Sequence, residues 1–204
     1  MISNTNIWLR ICYTVWSPVY NRLVAPFNAK RRRSLELANP QPGERVLIVG
    51  AGTGLDLDCL PPGLSVSAID LTPAMIFRLR RRAGRLGLAV DARVMNAQAL
   101  DLPDASFDLV ILHLILAVLP DPVRCLQEVQ RVLRPGGRAV ILDKFVKEPG
   151  PPPLALRLLN PLMSLFGTQL TRRLPPILAA TDLHVIHDEP ATKSGYFRIV
   201  LLEK

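Results

Sequence analysis

Cysteine is scarce in this chain: Cys12, Cys59 and Cys125 are the only three among 204 residues. None forms a C-x-x-C pair or lies near a histidine at ligand spacing, which excludes a disulfide framework and a zinc site and fits a reducing, cytoplasmic compartment. Aromatic residues make up 5% of the chain and do not interleave with basic ones as a base-stacking platform, so nucleic acid is not the expected partner. Long apolar runs are also missing. The longest, Leu109 to Leu119, is broken by His113 and falls well short of the roughly 20 residues that span a bilayer. Met1 to Asn6 lack a charged and then apolar leader, so no signal peptide is expected.

What the chain does have is 49% apolar residues and a mean hydropathy of +0.24, enough for one buried core at this length. Lys and Arg number 25 against 17 Asp and Glu, a net charge of +8 that favours an anionic partner. The excess sits in blocks: Lys30 to Arg33; Arg78, Arg80, Arg81, Arg82 and Arg85; and Arg172 with Arg173.

From Arg45 onward, short β-rich apolar runs alternate with helical patterns, which predicts a mostly parallel sheet covered on both faces. Strands are expected at Arg45 to Val49, Ser65 to Asp70, Ala92 to Met95, Phe107 to His113 and Arg138 to Phe145. Helices are expected at Leu55 to Leu60, Pro73 to Leu86 and Pro122 to Leu133, the last two opened by proline at the first turn. Pro135-Gly136-Gly137 reads as a turn, and His184 to Asp188 with Tyr196 to Glu203 as a closing antiparallel hairpin.

Two segments stand outside this alternation. Residues 1–40 form an N-terminal arm, the remainder a single α/β domain. In the arm, a stripe from Ile7 to Val24 predicts two amphipathic helices broken at Ser17-Pro18. Residues 146–183 form an insert in which Pro149 to Pro153 precede Leu154, Leu158, Leu162, Leu165 and Phe166 at helical spacing.

The chemistry gathers at strand ends. Gly50-Ala51-Gly52-Thr53-Gly54 follows the first strand, where glycines let backbone bend tightly and approach a ligand near a helix N-terminus. Leu55 stands where the dinucleotide fingerprint needs its third glycine. Asp70 ends the second strand, 20 residues past Gly50, where a carboxylate can accept from both hydroxyls of a ribose. Asn96-Ala97-Gln98 follows the third strand and offers an amide and backbone groups to an adenine edge.

With these residues in place, the segments "VLIVGAGTGLD", "AIDLTPAMI", "NAQALDLPDASFDLVI", "LPDP" and "VLRPGGRAVILD" resemble, in order, the class I S-adenosylmethionine-dependent methyltransferases. The resemblance implies a Rossmann-like seven-stranded sheet in order 3-2-1-4-5-7-6, with strand 7 antiparallel and helices on both faces. It implies S-adenosylmethionine as cofactor, S-adenosylhomocysteine as product and no metal. Gly50, Ala51, Gly52, Thr53 and Gly54 would border the methionine part, and Asp70 the ribose. Leu71 and Met75 would flank the adenine, which Asn96 and Ala97 would meet by hydrogen bonds.

The chain departs from that pattern in two places. Asn96 and Gln98 replace the acidic residues common in the subgroup, and Ala117 and Val118 stand where relatives often carry a His-His pair. His113, the remaining polar residue at that strand's mouth, is expected to face the methyl donor.

The opening "YTVWSPVYNRLV" resembles that of small bacterial phospholipid methyltransferases. This points to N-methylation of phosphatidylethanolamine or a similar amphiphilic amine by a monomer resting on the anionic inner face of the cell membrane. Tyr13, Tyr20 and His113 are then the candidate catalytic residues, and Trp16, Lys144 and Arg173 candidate substrate contacts, the aromatics through cation–π attraction. The alternatives are C-methylation of a ubiquinone or menaquinone precursor and, from another class, a cofactor-dependent RNA-binding methyltransferase or a non-catalytic binding module.

Overall fold

The computed structural model describes residues 4–17, 20–146, 150–165 and 167–204. Its strands are β1 (Arg45–Val49), β2 (Ser65–Asp70), β3 (Val90–Val94), β4 (Phe107–His113), β5 (Leu133–Lys144), β6 (His184–Pro190) and β7 (Phe197–Glu203). The helices are α1 (Asn4–Trp16), α2 (Tyr20–Val24), α3 (Asn28–Ala38), α4 (Pro73–Leu86), α5 (Pro122–Val132), α6 (Leu154–Leu165) and α7 (Pro175–Leu178).

The sheet has the expected order, β3-β2-β1-β4-β5-β7-β6, with β7 antiparallel to both neighbours. Its centre is apolar on both faces, as a parallel sheet under helices requires: every residue of β4 is buried. One face packs α5 and α7 over Leu47, Val110, Leu112 and Ile141, and the other packs α3 and α4 over Ile48, Leu109, Ile111 and Val140. Local chemistry fixes the helix ends. Pro73 and Pro122 open α4 and α5, the Asp121 carboxylate accepts from the Arg124 N–H at 3.0 Å, and Gly87 ends α4 in the left-handed conformation.

Several boundaries differ from expectation. The glycine turn leads into a five-residue 3-10 turn, Leu55–Cys59, in place of an α-helix. β3 begins two residues earlier and stops before Met95, whose N–H donates to Asp70 O. β5 extends back through Pro135-Gly136-Gly137, the predicted turn, because Lys204 bonds Gly136 and Gly137 from the end of the chain. In the arm, α1 and α2 match the two predicted helices, and α3 is an addition. Pro18, Val19, Pro149 and Phe166 lie outside the described residues.

α1 buries Leu9 and Cys12 but leaves Ile7, Trp8, Ile11 and Val15 exposed. α6 likewise exposes Leu154, Leu158, Leu159 and Leu162. Among the described residues no helix is long and apolar enough to cross a membrane.

The order of strands reverses between β1 and β4, opening a crevice at the carboxyl ends of the parallel strands where such sheets bind ligands. The arm lies over that crevice, with α1 against α4 and α3 against β5.

Candidate active site

A cavity occupies the crevice, in the place where sheets of this topology take their ligands. The turn after β1 forms its floor. Gly50 and Gly52 have positive φ and present bare backbone to it. A Cβ on Gly50 would fall 2.6 Å from Ile115 Cδ1, and one on Gly52 3.4 Å from the Tyr20 ring. At Gly50 only glycine leaves both the backbone path and the space open, and at Gly52 the left-handed backbone is what favours it.

Asp70 ends β2 on the cavity wall. Its Oδ2 accepts from Gly52 N–H at 2.9 Å and its Oδ1 from Thr72 N–H at 2.8 Å, so the carboxylate is oriented by backbone. Burial raises its pKa above the ordinary range, and those two N–H donors oppose the rise. Leu71 and Met75 supply an apolar wall, and Asn96 and Ala97 close the far side. Asn96 Oδ1 accepts from Gln98 N–H at 3.0 Å, while Gln98 Oε1 is taken up by Asp121 N–H at 2.8 Å. Gln98 therefore braces the wall.

The remaining predicted cofactor residues build the turn without lining the cavity. Ala51 N–H donates to Ile69 O, Gly54 N–H to Ala51 O, and the Thr53 hydroxyl to Asn21 on α2. His113 is a correction. β4 alternation turns it toward α3, where its Nδ1 bonds Asp56 at 2.7 Å and its Nε2 bonds Ser34 at 2.9 Å, so it does not face the cavity.

Tyr13 and Tyr20 close the cavity from the arm, their rings edge to face at 6.2 Å. They also wall an apolar groove with Trp16, Leu23, Val24 and Met163. Burial pushes the Tyr20 phenol up to about 12, with Arg31 pulling it down and Asp70, Asp56 and Asp143 pushing it up. The Tyr13 phenol rises for the same first reason, reinforced by Tyr20, Asp70 and Asp143.

Lys144 and Arg173 are corrections as well, since neither lines the cavity or the groove. Strand alternation puts Lys144 on the face opposite Asp143, and Arg173 donates to Gly150 O. The sequence reading missed Leu9, Thr72, Ile115 and Val118, all on the cavity wall. Thr72 was within reach, two residues after the strand-end carboxylate. The others depend on how the arm and the loop after β4 fold over.

Asp143 is fully buried at the end of β5 and accepts from Ala117 N–H at 3.0 Å and Lys144 N–H at 2.8 Å. It thereby fixes the turn that carries Ile115 and Val118, and burial raises its pKa.

Residues 47–141 match the model of a family described as a methyltransferase domain. A phosphatidylethanolamine N-methyltransferase from Cereibacter sphaeroides is 32% identical over 176 residues, 85% of this chain and 86% of the relative. The chain belongs to the S-adenosylmethionine-dependent methyltransferases. A demethylmenaquinone methyltransferase from Thermus thermophilus is 38% identical over 116 residues, 55% of this chain and 53% of the relative. Among solved structures, a SAM-dependent methyltransferase from Aquifex aeolicus superposes with a TM-score of 0.68 at 22% identity, covering 92% of this chain and 97% of that one.

The cavity of this methyltransferase fits its cofactor. A backbone-oriented carboxylate suits vicinal ribose hydroxyls, the Leu71 and Met75 walls suit a planar base, and the glycine floor admits close backbone approach. When bound, S-adenosylmethionine supplies a methyl group on a sulfonium centre. The chain's task is alignment and exclusion of water.

Proposed function

We propose that the protein methylates the amine nitrogen of an amphiphilic lipid, phosphatidylethanolamine or a close relative, at a membrane surface. The observation that carries this reading is the charge of the cavity. Asp70 is the one carboxyl among the described residues of its wall, and no histidine, lysine or arginine stands there. Such a site favours cations, both the sulfonium and an ammonium, and Tyr13 and Tyr20 add aromatic faces for cation–π attraction.

The same composition disfavours carbon methylation, which needs a base to raise electron density on a phenolic or enolic ring. His113 is turned away, and Tyr13 and Tyr20 stay protonated at neutral pH because burial raises both. An amine attacks with its own lone pair once it loses a proton to water. Tyr13 and Tyr20 hold it in line by accepting its N–H groups.

The amphiphilic character rests on the groove that shares Tyr13 and Tyr20 with the cavity, and on the exposed apolar sides of α1 and α6. The groove would take the upper part of an acyl chain while the headgroup reaches the cavity. The outer sides of α1 and α6 would rest among lipid headgroups, with the net charge of +8 favouring an anionic surface.

The test is transfer of radiolabelled methyl groups from S-adenosylmethionine to vesicles containing phosphatidylethanolamine, run beside vesicles containing demethylmenaquinone. Label in phospholipid alone is the expected result. Label in the quinone alone would replace this reading with carbon methylation.

A further inference from the structure

Behind the glycine turn lies a buried polar cluster that no step of the transfer uses. Asp56 stands in the 3-10 turn directly after Gly54, and its Oδ1 accepts from Arg31 Nη1 at 2.7 Å and from His113 Nδ1 at 2.7 Å. His113 Nε2 in turn bonds the Ser34 hydroxyl at 2.9 Å. All four side chains are buried, with Ser34 at 0% and His113 at 3% exposure. The Ser-His-Asp order of contacts resembles a hydrolase triad, but a serine with no exposed surface has no access to substrate.

The cluster joins three separate pieces of chain. Arg31 and Ser34, three residues apart on one face of α3, reach inward together. Asp56 belongs to the cofactor turn, and His113 ends the central strand β4. Such a network is strongly directional: ionised and neutral partners share bonds at fixed angles in the protein interior, so α3 has one seat. α3 is in turn continuous with α2 through the short turn Ala25–Phe27. On α2, Tyr20 lies over Gly52 and Asn21 accepts from Thr53. The angle at which α3 is seated therefore sets where Tyr20 closes the cavity.

We infer that Ser34, His113, Asp56 and Arg31 are positioning residues that seat the N-terminal arm against the glycine turn, and that cofactor affinity depends on them although none touches the ligand. The inference holds whichever acceptor is methylated. It also accounts for a polar histidine at the end of a strand whose other residues are mostly apolar.

Both tryptophans of the chain, Trp8 and Trp16, stand in α1, so intrinsic tryptophan fluorescence reports on the arm alone. The test titrates S-adenosylhomocysteine into the full-length protein and three variants, Ser34→Ala, His113→Asn and His113→Leu, by calorimetry. Acrylamide quenching is then measured with and without the ligand. Ser34→Ala removes one bond, His113→Asn keeps a donor toward Asp56, and His113→Leu removes both.

Expected is a graded loss of affinity, about threefold for Ser34→Ala and about tenfold or more for His113→Leu, with His113→Asn between them. Tryptophan quenching in the liganded state should rise in the same order. If affinity stays within about twofold of the parent and quenching is unchanged while only the melting temperature falls, the cluster is purely structural and the inference is overturned. Should His113→Leu fail to fold, Ser34→Ala and His113→Asn decide the matter on the same two readouts.

Discussion

Asp70 is oriented before any ligand arrives, because Gly52 and Thr72 each donate a backbone N–H to one of its oxygens. A preset acceptor loses little freedom on binding, so its contacts with a ribose count nearly in full. Asp70→Ala removes two charge-assisted hydrogen bonds and is expected to cost about 3 kcal/mol, roughly a hundredfold in S-adenosylhomocysteine affinity by calorimetry. Unchanged affinity would remove Asp70 from the cofactor site. Gly50→Ala should abolish detectable binding in a folded protein, since the added carbon meets Ile115 and the backbone is left-handed there. At this scale the sequence was informative where one residue type satisfies a backbone demand, as at Gly50, Gly52 and Asp70. It misled at His113, Lys144 and Arg173, whose side-chain directions follow from strand alternation and from neighbours distant in sequence.

Helices show the same division between local and distant causes. Proline openings made α4 and α5 legible to within a residue or so. α3 went unread because its buried face is Arg31, Ser34, Leu35 and Ala38, so two of its four inward positions are polar and the apolar period is blurred. The Leu55–Cys59 segment satisfies a helical pattern but is too short and too tightly tied to the glycine turn to extend past a 3-10 turn.

α1 and α6 present the opposite case, with more apolar residues than the core absorbs. Val15 is 71% and Leu158 72% exposed. If these faces rest in a bilayer, Val15→Asp and Leu158→Asp should each weaken co-sedimentation with phosphatidylglycerol-containing vesicles by roughly tenfold to a hundredfold, given about 1.5–3 kcal/mol for burying such a side chain. Binding of S-adenosylhomocysteine should not change. Equal sedimentation of parent and variants would place the contact elsewhere.

At the scale of the molecule, the sheet order puts the reversal between β1 and β4, and the candidate site converges there: the glycine turn, Asp70, Asn96 and the arm above them line one cavity. Five motifs in fixed order made this architecture readable, because each marks a strand end that the topology brings to one rim. The acceptor is written differently. The groove proposed for it is assembled from the arm and the insert, whose apolar patterns specify burial against one another without naming what lies between. On the reading proposed above, the acidic character of the cavity supplies what those patterns omit.

The most direct measurement is therefore of the atom that receives the methyl. Vesicles holding both phosphatidylethanolamine and demethylmenaquinone, incubated with the protein and S-adenosylmethionine labelled with carbon-13 at its methyl group, can be extracted and read by nuclear magnetic resonance. The label is expected at the chemical shift of methyl on nitrogen, in phospholipid; a label found only as methyl on ring carbon would contradict the account.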